Sequence, residues 1–192
     1  MSVLIRFQRM LTLIALSTIW LSSAEANEHQ MEVVYAISGG PLSGQEHLNH
    51  VLNLYYRHSL GPIHLGAGIS YGYSPYRYED ADGDYHGVNL LGTALWRYDG
   101  WTYVRPYVGI DVGGGVLVES SSGWNGWGNG TFDSTRISPI FIGRARGGLA
   151  FALIPNTFFL NIEGQLGFEL SQRETDPETL IASAAMGLVW EF

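Results

Sequence analysis

From residue 31 onward, apolar and polar side chains alternate with a period of two, in segments separated by turn residues. The pattern predicts strands over 31–39, 47–58, 63–73, 86–98, 101–118, 137–154, 157–171 and 179–192. The seventh is the clearest. Phe158, Leu160, Ile162, Leu166, Phe168 and Leu170 share one face, and Asn161, Glu163, Gln165 and Glu169 share the other. The sixth sets Phe141, Ala145, Leu149, Phe151 and Leu153 against Arg144 and Arg146. The fifth sets Val104, Val108, Ile110, Val112 and Val116 against Arg105, Tyr107 and Asp111. The third and fourth alternate in the same way, and the first two carry the weakest contrast.

The connections alternate in length. "SLGPI", "RYDGWT" and "LIPNTF" read as tight turns with Gly or Pro-Asn chemistry. "SPYRYEDADGDYH", "ESSSGWNGWGNGTFDSTR" and "SQRETDPETL" read as long polar loops, and "GGPLSGQE" is intermediate. Short turns on one side and long loops on the other is the layout of a membrane barrel, with both termini on the short-turn, periplasmic side. The aromatics segregate accordingly. Tyr55, Tyr56, Trp96, Tyr98, Trp101, Tyr103, Phe151, Phe158, Phe159, Trp190 and Phe192 fall beside the short turns or the C-terminus, and Tyr71, Tyr73, Tyr76, Tyr78 and Tyr85 fall near the long loops. Two aromatic belts are expected at the two membrane–water interfaces.

Composition adds to this picture. The 25 Gly, 11 Tyr, 8 Phe and 6 Trp suit many short strands rather than long apolar helices. "MSVLIRFQRM", the apolar run "LTLIALSTIWL" and the small residues Ala24 and Ala26 read as a secretory signal over residues 1–26, leaving a barrel domain over 27–192. The apolar run is too short for the roughly 20 residues of a spanning helix. Cys is absent, so disulfides play no part. The net charge is −8, every basic residue is Arg, and no basic cluster occurs, which argues against nucleic acid as a partner.

A soluble barrel with an apolar interior is the alternative. The faces decide against it: Arg105, Asp111, Arg144, Arg146, Glu163 and Glu169 would make a poor apolar cavity, but would make a buried charge network with the aliphatics turned to lipid. The expected fold is therefore an all-β, eight-stranded, antiparallel up-and-down transmembrane β-barrel. The signal, the eight strands and the closing "GLVWEF" resemble the small outer-membrane β-barrel proteins of the OmpX, OmpA-barrel and opacity type. The resemblance implies that Met186, Leu188, Trp190 and Phe192 form the terminal signal read by the barrel assembly machinery. It also implies a life in the bacterial outer membrane, as a monomer among outer-membrane lipid and lipopolysaccharide.

The charged residues read either as an ion path or as a plug; an eight-stranded barrel is just wide enough for side chains, which favours the plug over a channel or porin. Lipid A deacylases are barrels of the same size, and their motif places His and Ser two apart on one strand. No His here has Ser at that spacing. A turn centred on Asp99–Gly100 would pair His86 with about residue 113 and leave Ser120 on the order of 20 Å away at ~3.3 Å per residue. No catalytic residue, cofactor or metal site is therefore assigned; a non-enzymatic envelope or surface-interaction role through the loops is the expectation, with a lipid A-modifying enzyme as the alternative. "HLNH" points His47 and His50 to opposite faces of a strand. "EDADGDYH" lacks the Gly and the bidentate Glu of a calcium loop. Trp124, Trp127 and Phe132, set among Gly, Ser and Asn, are candidate contacts for an extracellular partner of unknown identity.

Overall fold

The computed structural model describes residues 28–39, 48–78, 81–125, 130–171 and 178–192. Residues 1–26, read above as the signal, lie outside that set. The strands are β1 (His29–Gly39), β2 (Leu48–Leu60), β3 (Ile63–Tyr78), β4 (Ala81–Arg97), β5 (Val104–Asn125), β6 (Gly130–Ile154), β7 (Phe158–Ser171) and β8 (Glu178–Glu191). Each pairs antiparallel with its sequence neighbours, and β8 pairs with β1, closing the sheet. Closure leaves no edge strand, which lipid requires, since nothing in a bilayer core can satisfy an open edge.

The register fixes the shape of the barrel. Starting at Ile137 on β6, successive partners are Val118, His86, Tyr73, His50, Ile37, Ala184 and Gly164, and the last of these pairs with Gly147, back on β6. The circuit returns displaced along β6 from 137 to 147. A stagger of that kind tilts the strands by about 40° and leaves an interior that side chains alone can fill.

Period-two alternation sorts side chains between the two surfaces, and the sorting inverts that of a water-soluble protein. Leu90 and Ile137 are each 68% exposed on the outer wall, joined by Ile69, Val108, Ile110, Ile162, Leu166 and Met186. Inside, Glu32, Asn53, Arg57 and Asp111 are fully buried. A continuous apolar exterior around a charged interior has a physical rationale when the surrounding solvent is hydrocarbon.

The termini and the short connections lie at one end of the barrel, the near end. Gly61 (φ 66°) and Asn156 (φ 59°) supply the left-handed residues of the "SLGPI" and "LIPNTF" turns, and Thr157 N–H donates to the Ile154 carbonyl across the second. The third connection is not the tight turn expected. Residues 98–103 form a six-residue link, in which Tyr98 packs edge-on against Trp101 at 5.6 Å, and the ladder resumes with Arg97 opposite Tyr107.

The far end departs most from expectation. Much of "SPYRYEDADGDYH" and of "ESSSGWNGWGNGTFDSTR" is ladder rather than loop: β3–β4 stay in register to Tyr78–Ala81 and β5–β6 to Asn125–Gly130. Polar composition ends the apolar alternation but not the backbone pairing, because a hairpin standing in water has no face to bury. At about 3.3 Å per residue, the 25 residues of β6 run far beyond an apolar band ~25 Å tall.

Candidate functional site

The interior of the near half is filled by hydrogen-bonded charge clusters stacked along the lumen. Glu32 on β1 is the centre of one. Its carboxylate accepts from Arg57 Nη1 at 2.6 Å, Arg146 Nη2 at 2.8 Å and Asn161 Nδ2 at 2.6 Å. Arg146 bridges to Glu163, whose Oε2 also accepts the Tyr107 hydroxyl at 2.6 Å, while its Oε1 accepts from Gln165 at 2.6 Å. One layer further in, Arg144 Nη2 lies 3.2 Å from Asp111 Oδ2, to which the Tyr55 hydroxyl donates at 2.8 Å. Toward the near opening, Glu191 accepts from Arg97 and from Arg105, the latter at 3.2 Å. Each buried charge thus meets an opposite one, the condition under which charges survive burial.

Of the residues expected in this network, Arg105, Asp111, Arg144, Arg146 and Glu163 are inside and paired as described. Glu169 points inward nearer the far end and lines a cavity with Arg144. Glu32 and Arg57 were missed. They sit on strands whose two faces look alike: β1 buries Val34 and Ala36 and exposes Tyr35 and Ile37, so apolarity gives no clue to direction. A signal was present, since lone charges at Glu32 and Arg57 within apolar strands are tolerable only inside.

Two aromatics change sides. Tyr55 and Phe159, assigned above to the near belt, are buried in the lumen. Neighbours on a strand point to opposite faces, so Tyr55–Tyr56 and Phe158–Phe159 cannot both face lipid. Inside, the rings carry guanidinium groups on their faces: Arg57 stands 4.4 Å and Arg146 4.8 Å from the Tyr55 centroid, and Arg105 4.6 Å from that of Phe159.

The far half of the lumen is different. Ser38, Ser70, Asn89, Leu117, Ile140 and Ile142 line a cavity of about 140 Å³ above Arg144. A void beside Arg57 and Arg97, in the near half, is about 10 Å³, the scale of a single water.

On the outer wall, Met186, Leu188, Trp190 and Phe192 share one face of β8 and its end, and Trp190 packs on Phe158 at 4.8 Å. Trp124 and Phe132 belong to the ends of β5 and β6, and Trp127 lies outside the described residues, as does His47. His50 Nδ1 is 2.6 Å from the Tyr35 hydroxyl.

His86 and Ser120 lie much closer than the spacing of about 20 Å expected from a two-residue turn. The ladder pairs His86 with Val118, so Ser120, opposite Asp84, is a diagonal neighbour of His86 at roughly 7 Å between backbones. The six-residue link displaces the pivot from Gly100 to Thr102. Proximity does not create a catalytic pair, because both nitrogens of His86 are engaged: Nδ1 with the Tyr71 hydroxyl at 2.7 Å and Nε2 with Asp84 at 3.3 Å. A base must have a free nitrogen for the nucleophile's proton.

A closed eight-stranded up-and-down barrel with an apolar outer wall and a charged, filled interior is the fold of the small bacterial outer-membrane β-barrels. Among solved structures the chain is similar to Neisserial surface protein A (14% identity, 85% of this chain and 96% of that one, TM-score 0.54). It also aligns with the attachment invasion locus protein Ail of Yersinia pestis (17%, 85% and 96%, TM-score 0.44) and with the outer membrane enzyme PagL (17%, 84% and 99%, TM-score 0.46). No protein-family model matches the chain, and neither does the sequence of any curated protein. At these identities the likeness is one of fold.

Proposed function

We propose that this chain is a monomeric, non-conducting barrel of the outer membrane that holds surface-facing hairpins, rather than a channel or a lipid A-modifying enzyme. The observation that carries the reading is the network around Glu32 and Arg146 in the near half of the lumen, where the void beside Arg57 and Arg97 is about 10 Å³. An ion would have to break several buried charge pairs to pass. In this reading the termini are periplasmic and the wall contacts outer-leaflet lipid and lipopolysaccharide. The ends of β3–β4 and β5–β6, with Trp124, Trp127 and Phe132, meet an extracellular partner. Met186, Leu188, Trp190 and Phe192 serve the barrel assembly machinery.

Planar-bilayer recording tests the plug: the purified barrel gives no stable current, and a steady conductance above background overturns the reading. Lipid A mass spectra from cells with and without the protein test the enzyme; a change in acylation that depends on His86 would replace this proposal. Deleting Phe192 leaves refolding into detergent intact but lowers the amount assembled in cell envelopes. Equal envelope levels would remove the assembly role of that residue.

A further inference from the structure

We infer that the near rim carries a binding site for a divalent first-row transition metal, formed by Glu28, His29 and His58, for which zinc is the fitting ion. The spacing of these residues along the chain gives no hint of it, since His58 is far from Glu28 and His29 in sequence. The register supplies it: His29 at the start of β1 lies directly opposite His58 near the end of β2. Both share the outward parity of Met31 and Tyr56, so the pair is outside the lumen and independent of the charge network.

The two imidazole rings stand 5.1 Å apart between centroids, inclined by 42°. One ligand atom from each His and one carboxylate oxygen of Glu28 all lie within 4.8 Å of one another. Zinc bonds of about 2.0–2.2 Å need these atoms somewhat closer, a change within reach of the exposed Glu28 side chain. The backbone beneath is already fixed. Ser59 N–H donates to the Glu28 carbonyl at 2.7 Å, and His29 exchanges two 3.0 Å hydrogen bonds with Phe192.

Two further contacts point to a ligand. The Tyr56 hydroxyl lies 2.9 Å from His29 Nδ1 and its ring is stacked 5.7 Å away. With Nδ1–H donating to that oxygen, Nε2 is left free to take the metal, the arrangement that orients most metal-bound imidazoles. His58 Nδ1 is buried without a hydrogen-bond partner, so this second ring has an uncommitted nitrogen. Two imidazoles and one carboxylate suit zinc and its neighbours in the first row; calcium and magnesium take all-oxygen sets. The exposed side of Glu28 leaves the fourth position to water. A bound ion would clip the residue preceding β1 to β2 and, through the His29–Phe192 contact at 6.0 Å, stiffen the seam where β8 closes on β1.

The test is calorimetric titration of Zn²⁺ into the untagged, detergent-folded barrel. One ion per chain binds, with micromolar or tighter affinity. His29→Ala and His58→Ala each lower the affinity by at least about tenfold, and Tyr56→Phe by roughly 10-fold, the scale of losing an orienting partner. Glu28→Gln, on an exposed side chain outside the ladder, also weakens binding and controls for misfolding of the His variants. His50→Ala leaves binding unchanged. Absence of binding to the wild-type barrel, or retention of full affinity in folded His29→Ala and His58→Ala, overturns the site.

Discussion

The two halves of the lumen are built from the same strands and solve opposite problems. In the near half, Glu32, Arg57, Arg146 and Glu163 fill the section with paired charge. In the far half, Ser38, Ser70, Leu117, Ile140 and Ile142 leave about 140 Å³ open. β3 shows the change along one strand. A Cβ added at Gly66 would meet the Tyr56 carbonyl oxygen at 2.0 Å, whereas one added at Gly72 would meet nothing within 4 Å. Paired charge therefore packs the near half, and the far half holds a vestibule.

The largest effect expected from this difference is at Arg146. Arg146→Ala takes from Glu163 the cation it pairs with and leaves Glu32 with Arg57 alone, both carboxylates being buried. Breaking one partner out of a buried network costs about 3–5 kcal/mol. Urea titration of the barrel in detergent or bilayers measures it, with resistance to SDS without boiling as a quick readout. A variant as stable as the wild type would mean that these carboxylates are solvated or protonated rather than held by Arg146.

The glycine pair sharpens the same contrast at smaller scale. Gly66→Ala drives a methyl against strand backbone and costs on the order of 1–3 kcal/mol. Gly72→Ala places the same methyl in open space and changes stability by less than about 0.5 kcal/mol. The comparison is made on one strand with one chemical change, so helical or strand propensity cancels. Equal costs would show that packing does not distinguish the halves.

How much of this was legible follows the same boundary. β5, β6 and β7 could be assigned to faces because lipid and charge sit on opposite sides of each, as with Ile162 against Glu163. β1 and β2 could not, because Val34, Ala36 and Tyr55 face inward while Tyr35, Leu54 and Tyr56 face out. Hydrophobicity then fails as a compass, and the partners Glu32 and Arg57 go unseen. Register is the second blind spot. It depends on how many residues a connection leaves unpaired, and the link 98–103 displaced every β4–β5 partner, His86 and Ser120 included. Only register brings His29 to His58. Beyond the membrane the alternation itself lapses: around Ser121 and Ser134 both faces of the hairpin meet water, so a paired ladder has the composition of a loop.

That last point yields the smallest expected effect. The outer part of β5–β6 is held by its own ladder and by contacts such as Ser121–Ser134 at 2.6 Å, side chains that are not buried. Ser120 and Thr135 are direct partners. Replacing residues 121–134 with Asn-Gly should therefore close a two-residue turn of the kind that fits the twist of a hairpin. The shortened barrel is expected to unfold within about 0.5 kcal/mol of the parent, because exposed segments far from the core contribute little to global stability. If the midpoint instead falls by an amount comparable to Gly66→Ala, the projecting hairpin is part of the folding unit. Its length would then serve the barrel as well as whatever the barrel meets outside.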